Sequence, residues 1–162
     1  MIRKLQKTDI DTVARIWLDG NRQAHGFIPA GYWEDNLIHV KEMLLQTEVY
    51  VYEEESSRAI LGFAGLEKEY IAGIFVQSDA RSRGIGRMLL NYVKDRKKKL
   101  TLNVYRKNER AVRFYEREGF HIIERTRDEN TGEEEYLMSW ENTDMVPGKE
   151  IVNGRKEYGS DE

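Results

Sequence analysis

The stretch from Tyr70 to Lys94, YIAGIFVQSDARSRGIGRMLLNYVK, narrows the choice of fold more than any other part of the chain. It begins with an apolar, β-branched run (Ile71, Ile74, Phe75, Val76), crosses the polar residues Gln77, Ser78 and Asp79, and then repeats its apolar residues at helical spacing. That pattern reads as strand, turn and helix. Where strand passes to helix stands Arg81-Ser82-Arg83-Gly84-Ile85-Gly86-Arg87, two glycines among three arginines. The first N–H groups of a helix lack intrahelical partners and carry the positive end of the helix dipole, so a phosphate can rest on them. Glycine lets the phosphate approach, and arginine adds fixed charge with a fork that fits phosphate oxygens.

Two familiar phosphate motifs do not fit. A Walker loop needs Gly-Lys-Ser/Thr, and none follows; the dinucleotide fingerprint needs a third glycine where Leu89 stands. What remains is the spacing Arg81-x-x-Gly84-x-Gly86.

The rest of the chain limits the chemistry. The absence of cysteine removes a thiol nucleophile, a disulfide framework and any thiolate-bound metal centre. A net charge of −3 argues against a dedicated nucleic-acid binder, and the basic run Lys94 to Lys99 reads as the solvated end of a helix. No apolar run approaches a membrane span and the start of the chain has no leader pattern, so the expected compartment is the cytoplasm. A length of 162 residues suits one domain with a real core.

Taken in order, Met1 to Leu5 reads as a strand, and Thr8 as the cap of a helix whose inner face is Ile10, Val13, Ala14, Trp17 and Leu18. Pro29 opens a second helix with the stripe Trp33, Leu37, Val40 and Leu44. Glu48 to Tyr52 and Ala59 to Leu66 form a hairpin around an acidic turn. The strand and helix of the opening stretch follow, the helix burying Ile85, Met88, Leu89, Tyr92 and Val93. Then come a strand at Leu100 to Tyr105, a helix from Asn108 or Glu109 to Glu118 stopped by Gly119, and strands at Phe120 to Arg125 and Glu134 to Trp140. The expected body spans residues 1–141. Residues 142–162 form a polar extension in which Asn153-Gly154 signals a hairpin.

A second signature lies in Leu102 to Phe120, where Asn108, Ala111, Phe114-Tyr115 and Gly119-Phe120 stand as N-x-x-A-x-x-F-Y-x-x-x-G-F. Together with Arg81-x-x-Gly84-x-Gly86 it resembles the two diagnostic blocks of the GNAT N-acetyltransferase superfamily. The likeness runs nearly to Trp140. His25-x-Phe27, Tyr32-Trp33 and Met138-Ser139-Trp140 are similar to segments of the small bacterial YiaC/YjaB-type members. The resemblance implies an α+β fold: a mixed, mostly antiparallel twisted sheet of about seven strands, splayed between its central strands, with about four helices. It also implies acetyl-CoA as cosubstrate. The backbone of Ile74, Phe75 and Val76 would bind the thioester and pantetheine as a false strand. Residues Arg81, Ser82, Arg83, Gly84, Ile85, Gly86 and Arg87 would hold the pyrophosphate, with Asn108 and Ala111 beside the pantetheine.

The implied reaction is direct attack of an amine on the thioester. A lysine-like ammonium, pKa about 10.4, must lose a proton, and the oxyanion needs a fixed donor, for which the Ile74 N–H is the candidate. The departing thiolate gains from a proton donor; Tyr115 is the expected general acid, a phenol still protonated at neutral pH. The base is open: Tyr70 and Asn103 occupy positions where some relatives carry glutamate, and Glu67, Glu69, water and His25 are the remaining candidates. The acceptor pocket is expected to draw on His25, Phe27, Tyr32 and Trp33, and Glu133, Glu134 and Glu135 could attract a cation. No metal is expected. The acceptor is an amine on a small molecule or a protein, with no nucleic-acid or membrane partner, and the chain is a monomer or homodimer. The competing reading is a noncatalytic CoA-binding module.

Overall fold

A computed structural model describes residues 1–143 of the chain. The hairpin expected at Asn153-Gly154 lies outside them. Two compact units divide the chain, Met1–Val93 and the part from Lys94 onward.

In the first unit, alternation builds the strands β1 (Ile2–Lys4), β2 (Glu48–Glu53), β3 (Ile60–Glu67) and β4 (Tyr70–Val76), paired antiparallel in that order. Helix α1 (Ile10–Ala24) lays Val13, Ala14 and Ile16 against Val49, Val51, Ile60 and Phe63. Thr8 is not its cap. The chain enters through a 3₁₀ turn, Lys7–Asp9, in which the Gln6 N–H donates to Asp9 Oδ2 at 2.7 Å. Asp9 is needed there because Arg3 holds it: Arg3 Nη1 reaches Asp9 Oδ2 at 2.7 Å and Nε reaches Glu53 Oε1 at 2.6 Å, while Arg58 pairs with the other oxygen of Glu53. Both carboxyls lie almost out of solvent, and these guanidinium hydrogen bonds hold them below the usual carboxylate range.

The second helix is two helices, α2 (Ala30–Asp35) and α3 (Leu37–Leu44), so the described residues hold five α-helices where about four were expected. The chain breaks at Asn36, whose ψ of 0° takes its backbone out of the helical well and whose Nδ2 donates to the Tyr32 carbonyl at 2.6 Å. Of the stripe read from the sequence, Trp33 and Leu44 are buried.

Strand β4 carries an irregularity. Leu66 pairs with Ile71 and Gly65 with Gly73, which leaves Ala72 opposite no residue of β3. Past this bulge, the Phe75 ring lies over Gly73, on the face of β4 turned to α1, and stacks on Phe63 with centroids 5.4 Å apart. Helix α4 (Ile85–Lys94) follows; Ile85, Leu89, Leu90 and Val93 are buried, whereas Met88, expected inside, is 40% exposed. The buried arc centres on Leu89 and Val93, which takes Leu90 in and leaves Met88 out.

In the second unit β5 (Lys99–Tyr105), β7 (Glu134–Glu141) and β6 (His121–Arg127) pair antiparallel in that spatial order. Leu100 stands opposite Trp140 and Leu102 opposite Met138, all buried. Helix α5 (Glu109–Arg117) adds Tyr115, and Phe120 follows it into the core. Lys94 is buried here, its Nζ donating to the Glu118 carbonyl at the end of α5 and lying 5.1 Å from the Trp140 ring centre. The α+β class and the seven strands among the described residues agree with the sequence reading.

Candidate active site

The glycine-arginine loop leaves β4 through Gln77, makes a 3₁₀ turn over Ser78–Ala80, and enters α4 with Ser82 at φ +68° and Gly84 at φ +78°. Two left-handed residues within three turn the chain sharply, and glycine takes that conformation without strain. A Cβ built on Gly84 would meet no atom within 4 Å, so the space above it is open. The Gly84 carbonyl accepts from the Met88 N–H at 2.9 Å, the first bond of the α4 ladder. Ser82, Arg83 and Gly84 are exposed, Ile85 is buried, and Arg81, Gly86 and Arg87 are half-buried. Arg83 reaches Glu54 Oε2 at 3.3 Å, and Arg81 Nη2 donates to Gln23 Oε1 at 3.4 Å. No pattern in the sequence marks these two polar partners, since they come from the β2–β3 turn and the end of α1.

Ile74, Phe75 and Val76 are half-buried on β4. Phe75 spends its side chain on packing against Phe63. Any part it takes in ligand binding is therefore confined to its main chain.

The aromatic residues read as an acceptor pocket do come together. His25 follows the last turn of α1; its ring centre is 5.4 Å from that of Trp33 and 5.6 Å from that of Phe27, and Tyr32 meets Trp33 edge-on at 4.9 Å. The Trp33 indole N–H is buried without a hydrogen-bond partner among the described residues. His25 Nδ1 lies 3.1 Å from Asn21 Oδ1, both residues being buried. Burial pushes the imidazole down to about 4, so the ring is neutral at pH 7. Asn21 escaped the sequence reading; its only mark there is the spacing of four residues from His25.

In the second unit Asn108, Ala111 and Tyr115 fall on one side of α5, three and four residues apart. Asn108 caps the helix, its Oδ1 accepting from the Ala111 N–H at 3.3 Å. Tyr115 is 8% exposed and packs edge-on against Phe114 at 5.1 Å and Phe120 at 5.4 Å. Gly119, at φ +94°, ends this segment as expected.

The acidic run near β7 divides. Glu133 pairs with Lys107 at 3.2 Å and Glu134 with Arg106 at 3.7 Å, while partial burial and Asp128 push the Glu135 carboxyl up. Glu67 and Glu69 are exposed at the β3–β4 turn. Among the described residues no group of three or more histidines and carboxylates could hold a metal ion, and no helix is long and apolar enough to cross a membrane.

Comparison with known proteins gives the family and the fold. The family model described as acetyltransferase (GNAT) domain matches residues 46–122. Over 142 residues the chain is 36% identical to the peptidyl-lysine N-acetyltransferase YiaC of Escherichia coli K12, covering 86% of this chain and 96% of that protein. It is 27% identical over 138 residues to the peptidyl-lysine N-acetyltransferase YjaB of the same strain, covering 85% and 93%. The solution structure of apo-form YjaB from Escherichia coli matches with a TM-score of 0.77 at 25% identity, covering 86% of this chain and 96% of that one. The PaiA N-acetyltransferase of Thermoplasma acidophilum, solved with coenzyme A, shares the fold at a TM-score of 0.73 and 18% identity, covering 87% and 98%.

Proposed function

The chain belongs to the GNAT family and is an acetyl-CoA-dependent N-acetyltransferase; we propose that its acceptor is the side-chain amine of a protein lysine. The 36% identity with a peptidyl-lysine N-acetyltransferase carries this reading of the acceptor.

In this reading residues 1–141 are the catalytic domain and 142–162 an appended segment. The loop Arg81 to Arg87 holds the pyrophosphate: the open space over Gly84 and the N–H groups at the start of α4 support it. The main chain of Ile74, Phe75 and Val76 lies along the pantetheine and the acetyl carbonyl, and the Ile74 N–H steadies the oxyanion. Asn108 and Ala111 border the pantetheine, the Asn108 side chain capping α5 beside it. Tyr115 gives its phenolic proton to the departing thiolate.

His25, Phe27, Tyr32 and Trp33 receive the acceptor. His25 is not the base. Moving a proton from a lysine ammonium of pKa about 10.4 to an imidazole near 4 is uphill by roughly 9 kcal/mol. The proton leaves to water instead, and His25 shapes the wall of the acceptor site. The enzyme works in the cytoplasm as a monomer or homodimer, without nucleic acid, a reading supported by the lack of cysteine and the net charge of −3.

The test is release of CoA thiol from acetyl-CoA against a panel: an N-terminally blocked lysine peptide, a lysine-free peptide with a free N-terminus, spermidine and a free amino acid. Release with the blocked lysine peptide is the expected result. Release with spermidine or the free N-terminus, and none with the lysine peptide, would overturn the acceptor assignment.

A further inference from the structure

We propose that Glu54 is a built-in competitor of the cofactor: its carboxylate holds Arg83 of the glycine-arginine loop as a phosphate would, and acetyl-CoA has to take that arginine from it. The inference rests on the phosphate reading of the loop given above, and on the geometry of the β2–β3 turn for the competitor.

The turn presents the carboxylate firmly. Its ends are closed by the Glu54 N–H donating to the Ala59 carbonyl and the Arg58 N–H donating to the Glu54 carbonyl, both at 2.8 Å. Ser57 Oγ donates to Glu54 Oε1 at 2.7 Å and accepts from the Ala59 N–H at 3.2 Å, which ties one carboxylate oxygen to the turn itself. Beside it Glu53 is buried between Arg3 and Arg58, so the strand end that carries the turn is anchored. The other oxygen, Oε2, meets Arg83 Nη1 at 3.3 Å.

A carboxylate and a phosphate ask the same of a guanidinium, N–H groups in the plane of its fork. Arg83 gives one of these to Glu54. A phosphate that draws on Arg83 either displaces Glu54 or shares the arginine with it. In the first case the ion pair is lost, and in the second two anions stand on one guanidinium. Both oppose binding. The partly exposed setting keeps the effect small, on the scale of one surface ion pair. Acetyl-CoA and the product CoA carry the same pyrophosphate, so the carboxylate weakens both alike and favours release of the product without choosing between acyl donors.

The test is calorimetric titration of the wild type, Glu54→Gln, Arg83→Ala and the double variant with acetyl-CoA and with CoA, at low salt and with no amine present. Glu54→Gln keeps an accepting oxygen for Ser57 and removes the charge, and affinity for both ligands should rise about three- to fivefold. In the Arg83→Ala background the same substitution should change affinity by less than about twofold. Glu55→Gln, which takes an equal charge from an exposed position of the same turn, should bind as the wild type does. Unchanged or weaker binding by Glu54→Gln would overturn the proposal, as would an equal gain with and without Arg83. Such a result counts against the competitor alone when Gly84→Glu has lost its affinity; wild-type affinity in Gly84→Glu counts against the phosphate reading of the loop and takes the proposal with it.

Discussion

A side chain on Gly20 would stand inside the ring of Phe75: a Cβ built there lies 2.8 Å from Phe75 Cδ1, and one built on Gly73 lies 2.5 Å from Cε2 at the other edge. The ring cannot move aside, since Phe63 stacks on it as well. Alanine in a helix gains up to about 1 kcal/mol over glycine, but overpacking a core costs about 1–3 kcal/mol. Gly20→Ala is therefore expected to destabilise the protein by about 1–2 kcal/mol. Phe75→Leu should relieve part of that loss, so urea unfolding of the two single variants and the double variant should show less than additive destabilisation. Strict additivity would mean that α1 and β4 do not meet through this ring.

Gly84 separates conformational strain from ligand exclusion. Its φ of +78° costs any L side chain about 1–2 kcal/mol, yet nothing near it would collide with a methyl group. Gly84→Ala should lose about 1 kcal/mol of stability and keep measurable binding. Gly84→Glu puts charge and bulk where the pyrophosphate is proposed to sit, and calorimetry should find acetyl-CoA affinity reduced at least a hundredfold or so, the worth of a few kcal/mol. Wild-type affinity in that variant would put the phosphate site elsewhere.

For Tyr115→Phe the packing against Phe114 and Phe120 is kept while the proton donor is lost. Turnover should fall by about 10²–10⁴ with acetyl-CoA affinity nearly unchanged. Unaltered turnover would remove the phenol from the mechanism.

His25 gives the fold a pH dependence of known sign. Its folded pKa, about 4, lies below the ordinary value of 6.5, so the unfolded chain binds a proton first and stability falls as pH drops from 6.5 towards 4. The loss between pH 7.5 and 5 should be about 2 kcal/mol. Asp9 and Glu53, held low by arginine, lose their contribution only at still lower pH, and Glu135, pushed up, offsets part of the His25 slope as it takes up a proton. Denaturant titrations at pH 7.5 and 5 should show a smaller difference for His25→Gln than for the wild type; equal differences would assign the slope to other groups.

What could be read without coordinates was whatever repeats or punctuates locally. The alternation of Leu100, Leu102 and Val104 marked β5, and the Gly84 and Gly119 turns fell where the residue type demands a left-handed backbone. What escaped depends on three-dimensional partners. The apolar stripe runs unbroken past Asn36, and only the bond from its amide to the Tyr32 carbonyl shows the break. Thr8 looks like the cap of α1 until Arg3 is seen to hold Asp9 in place at the start of that helix. His25, Phe27, Tyr32 and Trp33 could be grouped by composition, but the contact of Asn21 with His25 depends on the direction of one amide, which a sequence does not carry.

Ala72, which faces no partner on β3, sets the phase of the strand the cofactor is proposed to follow. Because one residue is left out of the count, Ile71 and Gly73 point to opposite faces, so Ile71 shares a face with Ile74 and Val76, while Gly73 and Phe75 turn towards α1. The near half of β4 is thus half a period out of step with the far half. Trimming that single residue would bring the halves into step with every face kept, whereas counting straight through it by plain alternation assigns one half to the wrong face. In transplanting this strand or comparing it with others, the spacer must be counted as strictly as the glycines and arginines that follow.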